Sequence, residues 1–407
     1  MTAHPLRAVR AWRRLVLSLT VSLLAACASG PRQPEPAPLP PDPGRLGVRE
    51  VWRGDIGSVD FALRVQVAGH LVALASGAGE VRLLDARTGE PVWRASAGAA
   101  LTAGVGHDGS LAAVVTVDNE LVALRDGREL WRQRLGAPSY TAPLVAGARV
   151  FVLGADRTVS AYDGQSGRRL WSQSRSGEAL VLREPGVLLA VGDTLLAGLS
   201  GRLAGLNPLN GSARWEVPIA SPRGTNDVER LVDLVGGVAR QGSTVCVRAF
   251  QAAVGCVDAA RGTLLWSKPA AGASGLGGDG ELLLGVEFDG TVQAWRRADG
   301  ERAWSNGELR LRKLTAPLML GAVLVFGDDQ GRLHFLARAD GVLQARYEID
   351  PPGSSTVPSL SGDGYADNPG AAYFINLGRA VAAPPVLAGN TLVVVTRSGR
   401  VLGLRPE

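Results

Sequence analysis

The 407-residue chain is poor in the side chains that usually carry chemistry. It has four histidines and three cysteines, and its only lysines are Lys268 and Lys313. His4 lies in an N-terminal leader, and His70, His107 and His334 are far apart with no H-x-x-x-H pair, so no metal-ligand spacing exists. There is no G-x-S-x-G elbow and no phosphate-binding loop. The polar stretch GDGYADNPG, Gly362 to Gly370, does not follow the D-x-[DN]-x-[DN]-G pattern of a calcium loop and reads as an insertion. No catalytic residue, metal or cofactor is expected. Beyond the N-terminus no apolar run approaches the roughly 20 residues that span a bilayer, and no segment keeps a helical apolar period. Net basicity is also illusory. The formal charge is +5, but Arg7, Arg10, Arg13 and Arg14 all fall within the first 26 residues. Without them the chain is close to neutral and offers nucleic acid no electrostatic footprint.

Those four arginines precede an apolar stretch, Leu15 to Leu24, and together they make a secretory signal over residues 1–26. The signal ends in Leu24-Ala25-Ala26-Cys27, which resembles the bacterial lipobox and implies acylation of Cys27. Each buried methylene of an acyl chain contributes about 0.8 kcal/mol, and several chains on one cysteine make a lasting anchor. Ala28 follows the cysteine; in the sorting pattern that this resembles, it implies the outer membrane. The proline-rich ASGPRQPEPAPLPPDPG cannot form a helix or sheet interior and reads as an extended tether over residues 27–47.

What is abundant is repetition. LLDARTGEPVW ends at Trp93, and versions of the same phrase end at Trp171, Trp215, Trp266 and Trp304. The residue fourteen positions before each tryptophan (Gly79, Arg157, Gly201, Ala252, Gly290) sits in a tight turn. Two copies are imperfect: Asn119 reaches Trp131 after a two-residue deletion, and Gly331 leads to Ala345. An eighth copy begins at Gly399 and runs off the C-terminus; its missing half is GVREVWRGD near the N-terminus, with Trp52. A period of about forty residues fits four short strands and their turns, and apolar residues alternate within each copy. The expected fold is all-β, an eight-bladed β-propeller over residues 48–407, closed by strands from both termini so that no long edge stays open. Within the phrase, the aspartate accepts turn N–H groups and the glycine takes positive φ. The tryptophans are expected to fasten blade to blade.

Cys246 and Cys256 lie symmetrically about Gln251, the tip of an expected hairpin. Residues equidistant from a hairpin centre face each other, and an exported compartment is oxidising, so a disulfide is expected; two buried thiols are the alternative.

The repeated phrase resembles the A-x-D-x-x-T-G-x-x-x-W docking motif of pyrroloquinoline-quinone-type propellers. Taken with the signal, lipobox and tether, the whole mature chain resembles the BamB family of outer-membrane lipoproteins. Two segments strengthen the likeness. Ala-Leu180-Val-Leu182-Arg183 resembles that family's L-x-L-R loop, and Asn-Asp-Val-Glu229-Arg230-Leu231-Val-Asp233-Leu-Val235 resembles its I-D-R-L-S-D-V-D segment. The chain departs from the family at Glu229, which replaces an aspartate, and at Val235, which replaces the last acid; the family's proline is missing. The resemblance implies a non-enzymatic scaffold of the β-barrel assembly (BAM) complex, anchored to the outer membrane and facing the periplasm. It would bind the POTRA domains of BamA through Leu180, Leu182, Arg183, Glu229, Arg230 and Asp233, and assist nascent outer-membrane proteins. Read from the residues alone, Leu180 and Leu182 could instead be buried in the first strand of blade four. A propeller binding a small ligand or the cell wall is the alternative function, and a quinoprotein-type enzyme a more distant one.

Overall fold

The computed structural model describes residues 35–175, 181–227, 229–350 and 378–407. Cys27, Leu180 and the 362–370 insertion therefore lie outside the described residues. The strands form eight sheets. Blades 1 to 7 are continuous in sequence, over 66–96, 101–134, 144–173, 188–218, 234–269, 277–306 and 318–348. Each runs outward from the axis as an antiparallel meander. Blade 8 is composite: Val386–Ala388, Thr391–Val395 and Arg400–Pro406 supply three strands, and Val48–Asp55 pairs antiparallel with the last of them. The ring is thus an eight-bladed propeller shut by a strand from each end of the chain.

Burial explains why these segments read as they do. Inner strands are covered on both faces by neighbouring blades, so Ala112–Thr116 and Thr391–Val395 are buried at every position and are apolar apart from one terminal threonine each. Outer strands face solvent on one side, and Pro91–Ser96 alternates between half-buried and exposed, as a half-buried strand should. The core is accordingly divided into apolar clusters wedged between successive blades.

A one-residue β-bulge interrupts the outer pair of every blade immediately before the docking position. An extra residue bends the strand and re-aims the next side chain, and here it turns the indole toward the following blade. Trp52 Nε1 donates to Ala86 O at 2.8 Å, Trp131 to Gly164 O at 2.9 Å, Trp171 to Pro208 O at 3.0 Å, Trp266 to Arg297 O at 2.8 Å and Trp304 to Arg338 O at 3.0 Å. Every acceptor lies in the third turn of the next blade. The glycine closing that turn lies under the ring; at Gly211, with φ +74°, a Cβ would come within 2.5 Å of the Trp171 indole. Glycine is needed there for φ and for space.

The structure bears on both imperfect copies. Blade 2 carries the shortened turn Asp126-Gly127, and Trp93 of blade 1 makes no indole hydrogen bond to it among the described residues; Trp215, over the full-length turn that ends at Gly262, makes none either. Blade 8 has no such turn, because its third and fourth strands come from opposite ends of the chain. An indole on blade 7 would have nothing to dock on, and the position is Ala345. The partner across the strand compensates in size: most of the indoles face Gly, Ala or Cys, whereas Ala345 faces Phe335. The tether fills the remaining gap. The compact unit runs from Pro38 to Glu407, so the last ten residues expected in the tether belong to the folded body. Arg45 N–H donates to Gln344 O, the bulge residue, at 2.9 Å. Arg346 donates a guanidinium N–H to Pro40 O at 2.9 Å and its backbone N–H to Asp42 Oδ1 at 3.2 Å. Leu46 packs into the cluster that contains Ala345.

Cys246 and Cys256 are directly paired across the second and third strands of blade 5 and joined by a disulfide, with their Cα atoms 4.0 Å apart. Cys256 in turn faces Trp266.

Trp171→Ala is expected to cost about 3–5 kcal/mol, the scale for removing a large buried aromatic. Trp93→Ala should cost less, by about the 1 kcal/mol of one hydrogen bond. Urea unfolding of both variants checks this; equal losses would remove the turn contact as the source of the difference.

Candidate functional site

Strand directions place all inter-blade connections, together with the turns between second and third strands, on one face of the ring. Both segments singled out in the sequence are on that face, in consecutive connections: 174–187 joins blades 3 and 4, and 219–233 joins blades 4 and 5. They touch. Gly186 and Val235 form a β-bridge, Gly236 N–H donates to Pro185 O at 2.5 Å, and Leu182 N–H donates to Asp233 Oδ2 at 3.0 Å. The preceding connection joins them, since Gly186 N–H donates to Thr141 Oγ1 at 2.8 Å. Three successive connections are therefore stitched into one platform.

Asp233 is the clasp. One carboxylate oxygen accepts the Leu182 amide and the other lies 3.9 Å from the Arg157 guanidinium. Arg157 occupies, with φ +61°, the turn position that is glycine in five other blades, and it is buried. A non-glycine residue held at positive φ costs energy, and the observed return is a cation delivered beneath Asp233. Arg183, on the exposed side, lies 5.4 Å from the centroid of the Tyr140 ring, within cation–π range. Val181 and Arg183 are exposed and Leu182 is half-buried. The first strand of blade 4 is Leu188–Val191, so Leu182 and Arg183 precede it instead of forming it.

The other residues divide. Glu229 works inside its own loop: it accepts the Thr225 N–H at 2.8 Å while its own N–H donates to Asn226 Oδ1 at 2.9 Å. The two bonds tie Glu229 to successive residues of its own loop, and the Thr225 amide is the main reason the Glu229 carboxyl is held below its ordinary range. Arg230 is exposed on the same loop. Val235 is buried in the first strand of blade 5, which accounts for an apolar residue where the resembling family has an acid. Tyr140, Thr141 and Arg157 were not expected from the sequence. The available signal was a bulky arginine where parallel turns carry glycine.

Glu184, beside the platform, has its carboxyl pushed up by burial, opposed by Arg397 of blade 8. It stands at the mouth of the central channel.

Fold and site together define a closed, tryptophan-docked propeller of pyrroloquinoline-quinone-type repeats, with a built platform on its connection face. A family profile described as outer membrane protein assembly factor BamB matches residues 77–306. The chain is 34% identical over 392 residues to the protein of that name from Burkholderia pseudomallei, covering 95% of this chain and 96% of the relative. It is 33% identical over 362 residues to that from Bordetella pertussis, covering 87% and 94%. The chain belongs to the BamB family of outer membrane protein assembly factors. Among solved structures, BamB from Moraxella catarrhalis superposes with a TM-score of 0.74 at 22% identity, over 88% of this chain and 99% of that one. A quinohemoprotein alcohol dehydrogenase from Comamonas testosteroni shares the fold with a TM-score of 0.64 at 13% identity, over 89% and 77%.

Asp233→Ala should cost about 1–3 kcal/mol, the price of a stranded buried partner, and accelerate hydrogen exchange at the Leu182 amide. Unchanged exchange at Leu182 would deny Asp233 its clasp role. For Glu184, a folded pKa above the unfolded value means that stability falls as pH rises through the window between them. Glu184→Gln is therefore expected to be more stable than the parent at neutral pH and equal to it below about pH 4. Thermal melts across that range check the sign.

Proposed function

We propose that this chain is a non-catalytic scaffold subunit of the BAM complex, held to the outer membrane through acylated Cys27 and facing the periplasm. It binds the POTRA domains of BamA with its connection face and assists folding and insertion of nascent outer-membrane β-barrels. The observation that carries the reading is the stitched platform: Asp233 fixes the Leu182 backbone from one side while Arg183 is left outward beside Val181. Pre-ordered loops bind with less entropy loss than mobile ones, and an exposed arginine next to an apolar residue is a common interface anchor. Glu229 and Asp233 serve the platform from within; Leu180, Leu182, Arg183 and Arg230 are the proposed contacts. The names of the relatives favour an assembly factor over a catalyst, and sharing a fold with a dehydrogenase does not transfer its activity.

Arg183→Glu in the full lipoprotein should abolish co-purification of BamA from detergent-solubilised envelopes while the melting temperature stays at the parent value. Recovery of BamA at full yield with this variant would remove Arg183 from the interface.

A further inference from the structure

The chain does not pass directly from blade 8 to blade 1. Between them Ala62–Leu63 lies parallel against the innermost strand of blade 2, with Arg64 N–H donating to Gly104 O at 2.7 Å and Val105 N–H donating to Arg64 O at 3.0 Å. Blade 2 gains a fifth, axial strand that the other blades lack. Alternation along this stretch sends Leu63 and Val65 into the core and Arg64 the other way, into the central channel. The channel has a volume of about 400 Å³ and draws its walls from blades all round the ring.

Arg64 is accessible to channel water yet enclosed by protein, which lowers its pKa through desolvation with no acid opposing it. Among the described residues its guanidinium has no hydrogen bond or ion pair. Glu184, the one carboxyl lining the channel among the described residues, feels Arg397 and not Arg64. A second polar group is also unused: Ser274 lines the same channel, and its Oγ is buried beside it without a hydrogen-bond partner among the described residues. The remaining wall is largely apolar, with Leu189, Val238 and Val386 prominent. The Arg64 charge has no counter-ion on the protein among the described residues, and the planar fork of a guanidinium matches a carboxylate in two parallel hydrogen bonds.

We infer that the central channel is a binding site for a small organic carboxylate, its head group taken by Arg64 with help from Ser274 and its apolar body lying along Leu189, Val238 and Val386. A channel lined by apolar side chains with a few converging polar groups has the make-up of a small-molecule site. The inference stands apart from the BamA reading, since Arg64 is not part of the platform around Asp233.

The test is calorimetric titration of the full mature chain with hexanoate, inorganic phosphate and hexylammonium, on wild type, Arg64→Gln and Arg64→Lys. Wild type should bind hexanoate saturably at millimolar concentration, phosphate more weakly and hexylammonium not at all. Arg64→Gln should weaken hexanoate by about tenfold or more, as expected for a lost charge-assisted hydrogen bond, with Arg64→Lys intermediate. The proposal is overturned if hexanoate gives no saturable binding, or if hexylammonium matches it, which would mean an apolar cavity alone. Phosphate binding as tightly as hexanoate would overturn the carboxylate assignment. Should Arg64→Gln fail to fold, the head-group preference of wild type and the Arg64→Lys titration still decide.

Discussion

The contact on which this structure depends is an indole from one blade laid on the third turn of the next. It needs a bulge to aim the ring, a carbonyl to take its N–H and a glycine whose missing side chain makes room. The repeat phrase is the sequence form of that contact, and five blades hold their followers in place through it, by Trp52, Trp131, Trp171, Trp266 and Trp304. Cooperation of this kind is nearest-neighbour, so the ring is only as secure as its weakest junction.

That junction lies between blades 7 and 8. Composite blade 8 has no third turn, so the docking residue of blade 7 has become Ala345 and its cross-strand partner has grown to Phe335. An apolar cavity of about 320 Å³ stays open nearby, lined among others by Leu46, Leu320, Phe335 and Leu404. What holds the junction is the N-terminal segment, first through Pro40, Asp42 and Arg45 against blade 7, then through Val48–Asp55 in blade 8. The stretch nearest the proposed lipid anchor is therefore also the one that closes the ring. Because the edges are sealed and the tryptophans are spent on packing, the surfaces left for recognition are the faces and the channel.

On the connection face the same economy holds at the scale of single residues. Arg157 accepts a backbone conformation suited to glycine, and its charge sits under Asp233, which in turn pins the Leu182 amide. Loops from three blades are thereby hydrogen-bonded to one another. Arg64 contrasts with Arg157: both are arginines brought inward, but one meets a carboxylate and the other only the channel.

The eight-fold repeat and the terminal closure were both legible in the sequence. They depend on local periodicity and turn chemistry, which a chain carries with it wherever it folds. The facing cysteines were legible for the same reason, as their spacing belongs to one hairpin. The sequence could flag the shortened turn before Trp131 and the alanine at 345, but not their causes, since a docking residue and its acceptor turn are some forty residues apart in different blades. Glu229, which the resemblance put among the partner contacts, braces its own loop; Tyr140 and Arg157 carried no motif. The Asp233 clasp and the lone cation in the channel exist only because ring closure brings distant residues to one rim or one axis. Tertiary structure alone decides which charges meet there, because a partner's distance is set by the geometry of the ring and not by separation along the chain.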